Sequence, residues 1–99
     1  MARLTVSPQA ELDAAEIIEL LTSEAGSDVA RRYRRSFVDI FGRFAMFPES
    51  GSPRPRLGQH IRIGVVSPYI VIYELESDHV VILRILDGRR KITRRLVRE

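Results

Sequence analysis

Residues 61–90 read IRIGVVSPYIVIYELESDHVVILRILDGRR. Three β-branched apolar runs, Ile61–Val66, Tyr69–Glu76 and 80–86, are separated by the polar breaks Ser67-Pro68 and Ser77-Asp78-His79. Runs of this kind between turn residues read as strands, so the segment is expected to form an antiparallel meander. In the middle run Tyr69, Val71, Tyr73 and Leu75 share one face, and Ile70 and Ile72 lie on the other. Apolar residues on both faces mark a central or covered strand. The third run ends in Asp87-Gly88-Arg89-Arg90, so a buried scaffold delivers a basic cluster at its exit.

Upstream, Ala2-Arg3-Leu4-Thr5-Val6 alternates as a short strand. Ser7-Pro8 then signals a helix start: the serine caps free N–H groups and proline suits the first helical position. Ala10, Ala14, Ile17, Ile18, Leu21 and Ala25 recur at helical spacing, with Glu11, Glu16, Glu19 and Glu24 mostly turned away from them. Gly26 is a natural stop. Ser27-Asp28 opens a second helix with the stripe Val29, Tyr33, Phe37, Ile40, Phe44 and Phe47, ended by Pro48. Helices this close in sequence form an antiparallel hairpin, and the aromatic stripe needs a sheet to cover. Residues 48–60, PESGSPRPRLGQH, are expected to be a loop without regular structure. The tail GRRKITRRLVRE is compatible with a basic helical turn or two around Ile92 and Leu96, or with an extended segment. The expected fold is α+β in the order β-α-α-β-β-β, a helical hairpin packed on a mainly antiparallel sheet. At 99 residues, with no repeat or linker, residues 1–99 form one domain.

The net charge of +3 hides an asymmetry. Residues 1–50 carry six Lys/Arg against eight Asp/Glu, whereas residues 51–99 carry ten against five. The positive field of the second half favours an anionic partner, such as nucleic acid, a nucleic-acid enzyme or an acidic protein segment; a solvated basic face kept for solubility is the plainer alternative. Cysteine is absent, which removes disulfides and thiolate metal sites and fits a cytoplasmic protein. No apolar run approaches the ~20 residues of a membrane span, and the N-terminus lacks a signal-peptide core.

Several enzyme classes find no residues here. His60 and His79 are the only histidines and have no metal-ligand spacing, so no metal or cofactor is expected. Phosphate-binding glycine motifs are missing, and Ser50 and Ser52 have no base partner. Arginine remains. Arg54, Arg56, Arg62, Arg84, Arg89 and Arg90 come from the loop, two strands and the meander exit, where a converging group would hold phosphates or grip a partner's carboxylates. Arg84 lies within VVILRIL, where a charge is costly unless paired. Glu74 on the neighbouring strand is the expected structural partner, weighed against a functional role. Arg62 reads as the outward residue of an alternating strand.

The element order, the size, and Pro-Tyr-Ile-Val-Ile-Tyr followed by Val-Val-Ile-Leu-Arg-Ile-Leu-Asp-Gly-Arg-Arg resemble the RelE/ParE superfamily of bacterial type II toxin–antitoxin toxins. The resemblance spans almost the whole chain and is most specific over residues 69–90. RelE-like members are metal-independent ribonucleases that cut mRNA on the ribosome; ParE-like members inhibit DNA gyrase by binding. The ribonucleases typically carry lysines on the second strand, an arginine after the tyrosine of the third, an arginine after the fourth, and a tyrosine or histidine beyond. Here Ile70 follows Tyr69, the second strand reads Ile61-Arg62-Ile63, only Arg90 matches, and no Tyr or His follows it. Guanidinium is no proton carrier near neutral pH. The resemblance therefore implies the ParE-like branch, although that family often has His where this chain has Asp87.

On that branch the implied partners are DNA gyrase as target and a ParD-like antitoxin, whose acidic C-terminal segment would wrap the toxin in a hetero-oligomer. The resemblance assigns Arg84, Arg89, Arg90 and Arg94 to target binding. It assigns Val29, Tyr33, Phe37, Tyr73 and Arg62 to antitoxin binding, in a groove between hairpin and sheet. Two alternatives stay open. A RelE-like ribonuclease would use Arg54, Arg56, Arg62 and Arg90. A basic nucleic-acid-binding module would need stacking platforms, yet Tyr69 and Tyr73 lie in a strand suited to core packing.

Overall fold

The computed structural model describes residues 1–98. Its elements are β1 (Arg3–Val6), α1 (Pro8–Ala25), α2 (Ser27–Met46), β2 (Ser52–Pro53), β3 (Ile61–Val66), β4 (Tyr69–Glu76), β5 (His79–Asp87) and α3 (Arg94–Arg98). The five strands form one sheet in the order β1-β5-β4-β3-β2. All neighbours are antiparallel except β1 and β5, which run parallel. The expected meander is therefore the middle of the sheet, and its last strand, β5, comes to lie beside β1, which precedes the hairpin and forms the far edge.

Local chemistry accounts for the helix limits. Ser7 Oγ accepts a hydrogen bond from Ala10 N at 3.0 Å and donates one to Leu83 O at 3.0 Å, so a single hydroxyl caps α1 and anchors it to β5. Gly26 alone separates the two helices, at φ +95°, a conformation that side chains rarely adopt. Helix α2 buries Phe37, Ile40 and Phe44 against the sheet. Phe47 leaves the expected stripe: it lies past the last helical turn and is 63 % exposed.

Both faces of β4 are covered, each by a different layer. On the hairpin side Phe37, Ile40 and Phe44 meet Tyr69, Val71, Tyr73, Val80, Ile82 and Ile85. Tyr33 and Phe37 stand edge-on or tilted to Tyr69, and Phe44 stacks on Tyr73 with centroids 4.1 Å apart. On the opposite side Ile61, Ile63, Ile72, Leu86 and Val97 form a second core, with Leu57, Ile92 and Leu96 packed against it. The loop after α2 and the tail thus roof the face that the hairpin leaves open.

Two expectations change. The proline-rich loop contains β2, because Ser52 and Pro53 pair with Ile63 and Arg62 at the sheet's edge, a position that tolerates proline's missing N–H. The tail takes its helical form as α3, with Val97 buried; its last residue, Glu99, lies outside the described residues. Among those described, no helix is long and apolar enough to cross a membrane.

Candidate functional site

Strand β1 accompanies β5 only as far as Ile82. Beyond that point the outer edge of β5 needs other hydrogen-bond partners. Opposite β4, Ile72 pairs with Arg84 and Tyr73 with Ile82, so Leu83 is skipped in a bulge. Asp13 of α1 fills the vacated edge: its Oδ2 accepts from Ile85 N at 3.0 Å and from Arg84 Nε at 2.7 Å, while Oδ1 accepts from Arg84 Nη2 at 3.0 Å. Arg84 Nη1 also donates to Leu96 O at 2.7 Å. The guanidinium thereby ties α1, β5 and α3 together.

This corrects two readings of Arg84. Its carboxylate partner is Asp13, because Glu74 is engaged by Arg98 at 2.7 Å. At 7 % exposure Arg84 offers almost no surface for direct contact with a partner; it holds the strand and tail that carry exposed cations. Asp13 escaped the sequence reading. The signal was available: it falls three residues after Ala10 and four before Ile17, on the helix's apolar stripe, where a carboxylate needs a buried cation.

The meander exit is a stiff turn. Gly88 N donates to Pro68 O at 2.8 Å and Arg90 N to Asp87 O at 3.2 Å. A Cβ on Gly88 would stand 2.8 Å from Ile70 Cγ1, so the close approach requires glycine. Asp87 takes Arg89 in a two-pronged clasp, with Nε to Oδ1 at 3.0 Å and Nη2 to Oδ2 at 2.6 Å, and also accepts from Arg89 N at 2.9 Å. These bonds lower the Asp87 carboxyl to about 2 and raise the Arg89 guanidinium. Arg89 is partly neutralised in consequence. Arg90 is exposed and has no ion pair among the described residues.

A cleft of about 510 Å³ lies beside this turn, between α1, the Ser67-Pro68 turn and the end of β5. Tyr33 and Tyr69 reach it together with Arg89 and Arg90. Burial raises the Tyr69 hydroxyl above its ordinary value, with Tyr33 and Asp87 acting in the same direction. Asp87 is ionised near neutral pH and both its oxygens are held by Arg89, so it is poorly suited to act as a base there, while Tyr69 stays protonated.

Two arginines of the ribonuclease alternative, Arg62 and Arg90, stand far apart. Arg62 is level with Tyr73 and Ile82, whereas Arg90 follows Asp87, which is level with Tyr69 and Val66. The four-residue offset along the strands is about 13 Å, and two strand spacings add about 10 Å across the sheet. Arg62 is also occupied: its Nη1 donates to Glu49 O at 2.8 Å and Gly51 O at 2.7 Å, which pins the loop after α2. Arg54 and Arg56 are exposed on the loop beyond β2.

The residues assigned to an antitoxin also separate. Phe37 and Tyr73 are 4 % and 0 % exposed, since their rings fill the seam between hairpin and sheet. The Tyr73 hydroxyl donates to Pro48 O at 2.6 Å and accepts from Gly51 N at 3.0 Å. The expected groove is thus closed by core. Val29 and Tyr33 remain half-buried at the hairpin, and Tyr33 donates to Ser67 O at 3.0 Å. An open apolar groove of about 410 Å³ runs instead along the hairpin's outer side, lined by Ala15, Ile18, Val38 and Phe41, with Phe37 contributing and Glu19 and Arg34 bordering it. Val38 is 61 % exposed there.

Comparison with known proteins agrees with this architecture. Toxin ParE3 of Caulobacter vibrioides (strain ATCC 19089 / CIP 103742 / CB 15) is 38 % identical over 71 residues, covering 72 % of this chain and 71 % of the relative. A solved structure described as "Chromosomal ParDE TA system from P. aeruginosa" superposes with a TM-score of 0.73, covering 86 % of this chain and 94 % of the other at 20 % identity, a likeness of fold. Residues 4–92 match the family described as "ParE toxin of type II toxin-antitoxin system, parDE". The chain belongs to the ParE toxin family of type II toxin–antitoxin systems.

Proposed function

We propose that this toxin acts in the cytoplasm by binding DNA gyrase, and that a ParD-like antitoxin neutralises it in a hetero-oligomeric complex. The observation that carries the reading is the state of the arginines. One group, Arg62, is spent on holding the chain; another, Arg90, stands exposed on a hydrogen-bonded turn about a strand length away, beside an Asp87 whose carboxylate is already clasped by Arg89. Such an arrangement favours gripping a partner over cleaving a phosphodiester, which needs a base, an acid and charge stabilisation at one point. Arg89, Arg90 and Arg94 form the proposed target contact, with Arg84 holding their support in place. The antitoxin's amphipathic segment takes the outer groove of the hairpin, where Val38 and Phe41 offer apolar contact and Arg34 a cation for its carboxylates.

Induction of the gene in growing bacteria tests the reading. The expected result is filamentous cells with a DNA-damage response while protein synthesis continues. Immediate translation arrest with cut mRNA would replace it by the ribonuclease alternative.

A further inference from the structure

The layer that roofs the second face of the sheet is basic on its outer side. Leu57, Ile92, Leu96 and Val97 point into the core beneath, and Arg54, Arg56, Lys91, Arg94 and Arg95 from the same two segments are exposed. None of these five has an ion pair among the described residues. On this face Glu74 of β4 is already held by Arg98. The charges are mounted on a fixed support, because Arg54 N donates to Ile61 O at 2.9 Å and Arg84 Nη1 holds the carbonyl of Leu96. Like charges gathered on a rigid face repel one another and attract a polyanion of matching extent.

We propose that this face binds the phosphate backbone of a DNA duplex, without reading its sequence, as a surface separate from the hairpin groove. The side chains select that ligand. They are guanidinium and ammonium groups, the usual phosphate donors. The exposed large apolar residues include one aromatic, Phe47, which follows α2 and lies outside this roof, so among the described residues the face offers no exposed Phe or Tyr ring on which single-stranded bases would stack. An amphipathic peptide needs an apolar groove beside its cations, and that groove lies on the hairpin. The choice of DNA over RNA rests on the gyrase reading, since gyrase holds a DNA duplex; the basic face itself does not depend on it.

Fluorescence anisotropy of a labelled mixed-sequence DNA duplex with the full-length toxin tests the inference. Binding is expected at low salt, with log affinity falling linearly against log salt at a slope of about −3 to −5 for contact with three to five phosphates. The variant Arg54→Ala/Arg56→Ala/Arg94→Ala/Arg95→Ala is expected to bind at least about tenfold more weakly and with a shallower slope. Replacing the same four by Lys should keep most of the binding. The helix variant Arg31→Ala/Arg32→Ala/Arg35→Ala/Arg43→Ala, which removes equal charge, should bind like the parent. Equal losses in both alanine variants, no binding at low salt, or tighter binding of an acidic peptide would overturn the surface. Preference for duplex RNA would overturn the choice of DNA. A gyrase supercoiling assay run in parallel separates the two readings: duplex binding without gyrase inhibition removes the gyrase proposal alone, and inhibition without duplex binding removes this one alone.

Discussion

Asp13 and Arg84 show how a single pair organises the region behind the basic turn. Both are under a tenth exposed, and the carboxylate satisfies a backbone N–H as well as the guanidinium. Removing one partner from such a buried pair typically costs about 3–5 kcal/mol, because the other charge is stranded. Asp13→Ala is expected to lose that much in denaturant unfolding, and Asp13→Leu/Arg84→Leu to recover part of it; a loss below about 1 kcal/mol would show the pair to be incidental. A second residue-scale expectation concerns Asp87. With its folded value at about 2, below that of an unfolded chain, the carboxyl contributes stability that is complete above the ordinary carboxylate range and is lost as the pH falls towards 2. Its side-chain carbon resonance should titrate with a midpoint near 2 in the parent and move up towards the ordinary range in Arg89→Ala, which loses the side-chain clasp and keeps the backbone hydrogen bond. The cost of Arg84's charge was legible from the apolar run around it. Its partner was not, because Asp13 lies 71 residues away and a nearer carboxylate, Glu74, offered a plausible neighbour.

At the scale of elements, the hairpin seats on the sheet through a close approach over Gly64. A Cβ there would stand 2.6 Å from both Ile40 Cδ1 and Phe44 Cζ, so α2 lies directly against β3. Gly64→Ala should push the helix outward and destabilise by about 1–3 kcal/mol, as overpacking does. Thermal and denaturant unfolding check it, and an unchanged midpoint would mean that the seam is looser than its geometry. Most element limits were written in local signals: Ser7-Pro8 opens α1, Gly26 divides the helices, and Ser67-Pro68 turns β3 into β4. The order of strands was less accessible. The parallel pairing of β1 with β5 joins residues 76 apart, and β2 contains a proline that local propensity counts against a strand.

Over the whole molecule, the apolar groove and the roof of the sheet's second face lie on different elements. The hairpin carries the open apolar groove, and the tail and loop carry exposed cations that have no ion pair among the described residues. The sequence disclosed the basic half because charge needs no folding to be counted. It misjudged the aromatic stripe as a binding groove, because Phe37 and Tyr73 read alike whether a partner or the protein's own sheet covers them. It gathered Arg62 and Arg90 into one candidate group, because only strand register shows how far apart they stand. The family relationship makes the chain a ParE-type toxin, and the distance between Arg62 and Arg90 favours binding over cleavage as its mode of action. Supercoiling of relaxed plasmid by purified DNA gyrase, with added toxin, measures that mode directly. Supercoiling should be lost in proportion to toxin, and Arg90→Ala should need at least about tenfold more protein, a change of about 1.4 kcal/mol, while melting like the parent. Undiminished supercoiling at saturating toxin, with mRNA cut when ribosomes are supplied instead, would contradict it.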